Sequence, residues 1–266
     1  MKLSAAQVRE FFEQGWTVVP SLFSDEEMQR TRHAFERLYA EAQKLRKTQD
    51  HSGAYFVLDE PPTGDVIVKR IVWAGGAEPE LLALSADDRL LAPALDLLGS
   101  DECEQLLCQA HFKMPRDGVS FDWHQDVQHR DKGPGTWRDL NGKGSYVQTI
   151  MLVDDMTETN GPLKFIPRSA IHQDAPSRLS TDSYDYSKPM TTGLMSQWFD
   201  ESQAVTVTGC AGSVLFFGPY AIHGSTSNES SMPRRILING YAYPGANGRV
   251  YPGAGSCRTL RLASRG

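Results

Sequence analysis

Apolar residues recur every three or four positions over the first hundred residues and in short alternating runs after that. The chain is therefore read as a helical N-terminal part, about 1–100, followed by a β-rich core, about 104–245. Ser4 and Gln7 form a capping box ahead of the apolar face Val8, Phe11, Phe12, and Gly15 can end that helix. A strand is expected over Trp16 to Pro20. Ser24 and Glu27 make a second capping box; Met28, Thr31, Phe35, Leu38, Ala42 and Leu45 then trace the stripe of a long helix packed along a sheet. Thr48 to Asp65 reads as loop, with Pro61-Pro62-Thr63-Gly64 and a short strand at Tyr55 to Leu58. Val66 to Trp73 reads as a strand, and Glu78 to Leu98 as one or two short helices broken near Pro93 and closed by Gly99.

Beyond this point the strand candidates are Gln105 to Lys113, Tyr146 to Asp154, Leu163 to Ile166, Ala204 to Thr208, Ser213 to Phe217 and Arg235 to Tyr243, separated by Gly, Pro and Asn turns. A helical layer supporting a run of antiparallel strands predicts a mainly β fold with α, a double-stranded β-helix or jelly roll, in a single domain spanning 1–266. Two long polar insertions interrupt the strands, Val127 to Ser145 and His172 to Gln203. Their aromatic residues fit lids, with Trp137 as an apolar cap above Gly133-Pro134-Gly135; a loop packing its own Trp on the outer wall is the plainer alternative.

Composition narrows the class. A formal charge of -6 without a basic stripe favours neither nucleic acid nor an anionic membrane, and no apolar run approaches a membrane span. Met1 to Gln7 lacks the apolar core of a signal peptide. Cys103, Cys108, Cys210 and Cys257 are scattered without C-x-x-C spacing, which suits reduced thiols better than a disulfide frame or a zinc site. These features describe a soluble cytoplasmic protein; they are silent on oligomeric state.

The candidate chemistry centres on Phe121-Asp122-Trp123-His124-Gln125-Asp126, because His-x-Asp in an extended segment sends an imidazole and a carboxylate to the same side. A second histidine would complete a 2-His-1-carboxylate facial triad with open positions opposite. His33, His51, His129 and His172 sit among charged or polar neighbours and read as surface histidines. His223 follows a buried-looking strand and a Gly-Pro turn, and Arg234 opens the next apolar strand eleven positions later. Iron triads of this kind need an electron-donating cosubstrate, and a dicarboxylate needs a fixed cation at its far end. Arginine's planar fork is suited to that end.

As a set, His124-x-Asp126, His223, Arg234 and Asn160-Gly161-Pro162-Leu163-x-x-Ile166-Pro167-x-Ser169 resemble the phytanoyl-CoA dioxygenase family, including its ectoine-hydroxylase-type members. The resemblance extends to Lys113-x-Pro115, Phe121-x-Trp123 and the N-terminal Gly15-Trp16-Thr17-Val18-Val19-Pro20. One departure is Pro167-Arg168-Ser169-Ala170, where the family pattern reads Pro-Gly-Ser-His.

The resemblance implies a non-haem iron(II)- and 2-oxoglutarate-dependent dioxygenase that uses O2 to hydroxylate an unactivated C–H bond, releasing succinate and CO2. It implies His124, Asp126 and His223 as metal ligands, Arg234 on the far carboxylate of 2-oxoglutarate, and Ser225 beside it. Lys113, Phe121 and His111 either contact cosubstrate or substrate, or simply pack in strands; the ectoine-type pattern has Asn where this chain has His111. Arg235, next along the strand, should face the opposite way, toward solvent. A halogenase of this fold would lack Asp126. A zinc hydrolase would not need Arg234, and a non-catalytic metal- or ligand-binding protein would be expected to lose one of the four key residues. A small polar metabolite, paired with one of the cations Lys113, Arg116, Arg130, Lys132, Arg138 or Lys143, is the expected substrate class.

Overall fold

The switch in hydrophobic period becomes a helical layer laid against a β-sandwich. The computed structural model describes residues 2–61, 63–168 and 199–262. Helix α1 spans Ala5–Gln14, with the reciprocal Ser4–Gln7 box at its start and Gly15 in the left-handed conformation at its end. Strand β1, Trp16–Val19, follows, then α2, Asp25–Leu45, opened by the Ser24–Glu27 box and burying Met28, Thr31, Ala34, Phe35, Leu38 and Ala42. Next come β2 (Gln49–His51), β3 (Ala54–Asp59) and β4 (Ile67–Val72). Helices α3 (Pro79–Leu84) and α4 (Asp88–Leu98) are separated at Ser85–Asp87 rather than at Pro93. Asp87 caps the Arg89 amide and starts a new helix there, and α4 carries Pro93 within it.

The core strands are β5 (Glu102–Lys113) and β6 (Phe121–His124), then a one-turn helix α5 (Val127–Arg130), then β7 (Tyr146–Leu152), β8 (Leu163–Phe165), β9 (Val205–Val207), β10 (Val214–Phe217), β11 (His223–Ser225), β12 (Arg234–Ala242) and β13 (Arg258–Arg261). Among the described residues they form two antiparallel sheets. The larger runs β1-β10-β7-β12-β5-β4-β3-β2, with β13 also on β5, and the smaller runs β6-β11-β8-β9. This is the jelly roll that the strand pattern predicts. The short strands β2, β6, β11 and β13 have too few residues to show alternation, and β11 and β12 do not pair. They stand in opposite sheets, so Arg234 reaches the site across the sandwich rather than along a hairpin.

Alternation along the large sheet decides what each face holds. Cys108, Ala110 and Phe112 of β5, Leu237 and Tyr241 of β12, and Val214 and Phe216 of β10 join Phe35, Leu38 and the α4 leucines in one core under the helices. The intervening residues Ile150, Leu152, Leu215, Phe217, Ile236 and Ile238 meet Leu163, Phe165 and Val207 of the small sheet in a second core between the sheets. At one end of this second layer the apolar positions give way to Gln109, His111, Lys113, Gln148 and Arg234, and there the interior opens into a cavity of about 460 Å³.

The insertion after α5 is packed. Trp137 is buried with Leu107, Val127, Tyr146 and Tyr251, donates to the Gly144 carbonyl, and bridges to Asn247. Asn141 ties the segment to the end of α4 through the Leu98 carbonyl. Trp137 therefore serves the outer-wall core, not a cap over the site. Most of the second insertion, residues 172–198, lies outside the described residues.

Gly240 on β12 is set against the Tyr146 ring: a Cβ there would stand 2.0 Å from the tyrosine Oη. Gly240→Ala is predicted to destabilise the fold by about 1–3 kcal/mol in urea unfolding. Gly218→Ala, whose Cβ would meet only Phe11 at 3.7 Å, should change it little.

Candidate metal and cosubstrate site

The small sheet brings the two histidines together through register. His124, the last residue of β6, lies opposite His223, the first of β11. Their ring centroids are 4.2 Å apart. Each Nδ1 lies against a carbonyl two residues back, His124 on Asp122 at 2.6 Å and His223 on Ala221 at 2.9 Å. A carbonyl can only accept, so both rings carry the proton on Nδ1 and keep the Nε2 lone pair for a metal. Burial, and the neighbouring His223, push the His124 pKa down to about 4, so its ring is neutral at pH 7.

Asp126 arrives by a different route from the one strand alternation implies. The strand stops at His124, and Asp126, at φ -64 and ψ -27, heads α5. The turn still leaves its Oδ1 3.9 Å from His124 Nε2, and its Oδ2 is buried with no hydrogen-bond partner. Gln125, between the two, is fully buried and donates to the Tyr220 carbonyl at 2.7 Å, while the Val127 amide donates to Pro219 at 3.0 Å. These bonds join the His-x-Asp turn to the segment that delivers His223. Phe165 stacks on the His223 ring and Phe217 meets it edge-on, which closes the apolar side.

His129, expected at the surface, is also in the site. It lies one helical turn after Asp126, and residues so spaced share a helix face. Ligand atoms of His124, Asp126 and His129 all fall within 4.8 Å of one another, and the His129 ring is 5.3 Å from that of His124. The signal in the sequence was this three-residue spacing, hidden by charged neighbours. The orphaned Asp126 oxygen and the three imidazoles with lone pairs or burial that favour neutrality form a donor set that suits a divalent first-row metal.

Across the sandwich, the large sheet supplies cations. Lys113 at the end of β5 is the register partner of Arg234 at the start of β12, and both side chains are fully buried. Lys113 Nζ donates to Ser225 Oγ at 2.7 Å and contacts the Thr226 carbonyl. Arg234 Nη2 and Nε donate to the Gly161 carbonyl at 2.6 and 3.2 Å, and its buried Nη1 has no partner. Gly161 has φ +80, and a Cβ there would sit 2.8 Å from Lys113 Cδ, so the Asn-Gly motif is needed to bring that carbonyl onto the arginine. Burial, then the adjacent Arg234, push the Lys113 pKa down to about 6; burial pushes Arg234 down to about 10. A buried guanidinium with a spare Nη1 donor, beside an amine that can take up a proton when an anion arrives, forms a receptor for a carboxylate.

Phe121 pairs with Ser225 and lines the cavity, with Lys113 Nζ 5.6 Å from its ring centre. His111, 8 % exposed, packs on Phe121 at 5.1 Å, and its Nε2 is 3.1 Å from Gln109 Oε1. Its pKa is pushed well down by burial and then by Arg70. Arg235 does face away from the cavity, but it is not in solvent: it grips Asp154 through Nε and Nη2 at 2.8 Å each.

Comparison with known proteins follows this geometry. The family described as Phytanoyl-CoA dioxygenase (PhyH) matches residues 11–236. An ectoine dioxygenase of Bordetella bronchiseptica is 30% identical over 253 residues, covering 90% of this chain and 75% of that protein. An L-proline trans-4-hydroxylase of Streptomyces griseoviridis is 26% identical over 240 residues, 85% of this chain and 82% of the relative. The fold of EctD from S. alaskensis is similar: solved with bound Fe, it superposes with a TM-score of 0.68 at 25% identity over 94% of this chain and 80% of that one. Solved with 2-oxoglutarate and 5-hydroxyectoine, it gives a TM-score of 0.71 at 24% identity, covering 99% and 84%.

The two adjacent arginines should separate cleanly. Arg234→Ala is predicted to weaken 2-oxoglutarate binding by about 2–3 kcal/mol, roughly 30- to 150-fold, in calorimetric titration. Arg235→Ala should leave that affinity nearly unchanged and instead lower stability by about 2 kcal/mol in urea, because Asp154 loses its bidentate partner.

Proposed function

The chain belongs to the phytanoyl-CoA dioxygenase family, and from that premise we infer that it is a non-haem iron(II)- and 2-oxoglutarate-dependent dioxygenase acting on a small polar metabolite. It hydroxylates an unactivated C–H bond with release of succinate and CO2. The observation that carries this reading is the meeting of two sets of groups at one cavity: His124 and His223 of the small sheet with Asp126 at the head of α5, and facing them Arg234 of the large sheet, with its strand partner Lys113 buried behind it. A hydrolytic metal site would use the first and leave the second without a purpose.

In this reading His124, His223 and Asp126 hold iron(II), which with O2 and 2-oxoglutarate supplies the oxidising power for C–H cleavage. Arg234 Nη1 and Lys113 Nζ receive the far carboxylate of 2-oxoglutarate, with Ser225 completing the contact. Phe121 and Ile236 flank the carbon chain of the cosubstrate, and Phe165 and Phe217 keep water from the His223 side. His129 stands beside the donor cluster as a neutral neighbour that burial keeps uncharged. Ectoine and L-proline, the compounds named for two relatives, are the first substrates to try. No helix of the described residues is long and apolar enough to cross a membrane, and all four cysteines are free, which supports a cytoplasmic setting.

Succinate release tests the assignment. The wild type is expected to convert 2-oxoglutarate to succinate in an iron(II)-dependent manner that chelation stops, and His124→Ala, Asp126→Ala or His223→Ala to lose it while unfolding at a normal denaturant concentration. Turnover that survives in any of the three, or that zinc supports as well as iron, contradicts the ligand set. Lys113 adds a pH signature. Its pKa near 6 in the free protein means that it is largely uncharged at pH 8, so binding a carboxylate there must take up a proton. The Kd for 2-oxoglutarate should therefore rise with pH above about 6, by up to roughly tenfold per unit. In Lys113→Met the binding should be weaker and this pH slope should vanish.

A further inference from the structure

One buried cation in the cavity wall has no part in holding metal or cosubstrate. Arg130 ends α5, four residues after Asp126, so the two side chains share a face of that turn. It lines the cavity yet is only 4 % exposed. Its guanidinium is held by two tyrosines: Nη2 donates to Tyr146 Oη at 2.8 Å, Nη1 donates to Tyr251 Oη at 3.1 Å, and the fork lies 4.5 Å from the Tyr146 ring centre. Its buried Nε has no partner. Among the described residues no carboxylate lies within ion-pair distance of it.

A desolvated guanidinium satisfied only by neutral hydroxyls is costly unless an anion joins it. The carboxylates that line the cavity are engaged elsewhere. Asp59 pairs with Lys69 at 2.6 Å, and Asp117 accepts the Met114 and Val119 amides on the Arg234 side. Asp122 is exposed, and Asp126, whose charge favours the Arg130 cation without an ion-pair contact, has its oxygens among His124 and His129. Tyr146 donates its own O–H to Gln148 Oε1 at 2.7 Å, so its oxygen is left as an acceptor for Arg130. Tyr251 accepts from Arg130 and lines the cavity, which leaves its O–H to donate inward. A second guanidinium, Arg70 of β4, lines the same cavity, and its charge acts on His111, His124 and His129.

We propose that Arg130, with the Tyr251 hydroxyl, receives the carboxylate of the substrate, so that the enzyme acts on a small carboxylic acid. This rests on the dioxygenase reading for the reaction but not for the binding. Arg130 and Asp126 are one helical turn apart, about 5–6 Å between Cβ atoms, so the C–H bond presented to the metal lies a few bonds from the substrate's carboxylate. Of the cations of the first insertion that an anion could use, Arg138 is spent on the Gly245 carbonyl at the surface, and Arg130 is the one built into the cavity wall.

The test uses the full chain loaded with manganese(II), which occupies the metal site without turnover, and saturated with 2-oxoglutarate. Calorimetric titrations compare small acids with their own primary amides, L-proline with L-prolinamide and L-pipecolate with L-pipecolamide. At least one acid is expected to bind the wild type roughly 10- to 100-fold more tightly than its amide. That preference should disappear in Arg130→Met and shrink in Tyr251→Phe, which keeps the ring and its packing should the arginine variant fail to fold. Equal binding of acid and amide, or an acid preference that both variants retain, overturns the proposal. Titration of the wild type with 2-oxoglutarate is recorded first. A protein that ignores 2-oxoglutarate yet prefers acids through Arg130 sinks the dioxygenase reading and keeps this one.

Discussion

Two imidazoles whose centres lie 4.2 Å apart on one cavity wall are each held by a hydrogen bond from Nδ1 to the backbone. The β6–β11 register sets His124 and His223 opposite one another, and each donates its Nδ1–H to a carbonyl of its own segment. The two rings lie side by side on the cavity wall, and the buried, unpartnered oxygen of Asp126 stands near His124. Much of the surrounding architecture serves to keep this arrangement in place. Gln125 and Val127 bond the His-x-Asp turn to the approach to His223, and Phe165 and Phe217 pack the far side of that ring.

The sandwich divides the chemistry by charge. The small sheet contributes two imidazoles and the α5 turn after it a single carboxylate, a set that suits a dication. The large sheet contributes Lys113 and Arg234, adjacent across the β5–β12 pair, which suits a dianion. In the proposed reading, placing these on opposite sides of the cavity would let a metal and a 2-oxoacid meet between them, whereas placing all of them on one side would set the cations against the metal. The outward neighbour of Arg234 has a structural duty: Arg235 and Asp154 form a largely buried pair that ties β12 to the segment just after β7.

Local patterns were legible in the sequence where one residue's chemistry sufficed. The Ser4–Gln7 and Ser24–Glu27 boxes, the α2 stripe and the long strands β5, β7 and β12 all follow from spacing alone. The resemblance singled out His124, Asp126, His223 and Arg234, and all four line one cavity, although the routes by which they reach it did not show in the sequence. Asp126 lies on a helical turn rather than a strand, and Arg234 comes from the opposite sheet. What stayed hidden depends on distant partners. His129 looked like a surface residue because its neighbours are charged, Arg235 because its partner Asp154 lies 81 positions away, and Trp137 looked like a lid because its packing partners Leu106, Ala246 and Tyr251 come from other elements. Pro93 misled for the opposite reason: the helix break it suggested was set by the Asp87 cap six residues earlier.

The central claim is that His223, from the opposite strand, completes the metal site in preference to His129, which lies closer along the chain. Anomalous scattering at the iron edge, from crystals of the protein loaded with iron(II) without oxygen, tests it directly. The account predicts one iron bound by Nε2 of His124, Nε2 of His223 and the Asp126 carboxylate, with His129 outside bonding distance. Iron held by His124, Asp126 and His129 with His223 free, or no ordered iron at this position, contradicts it.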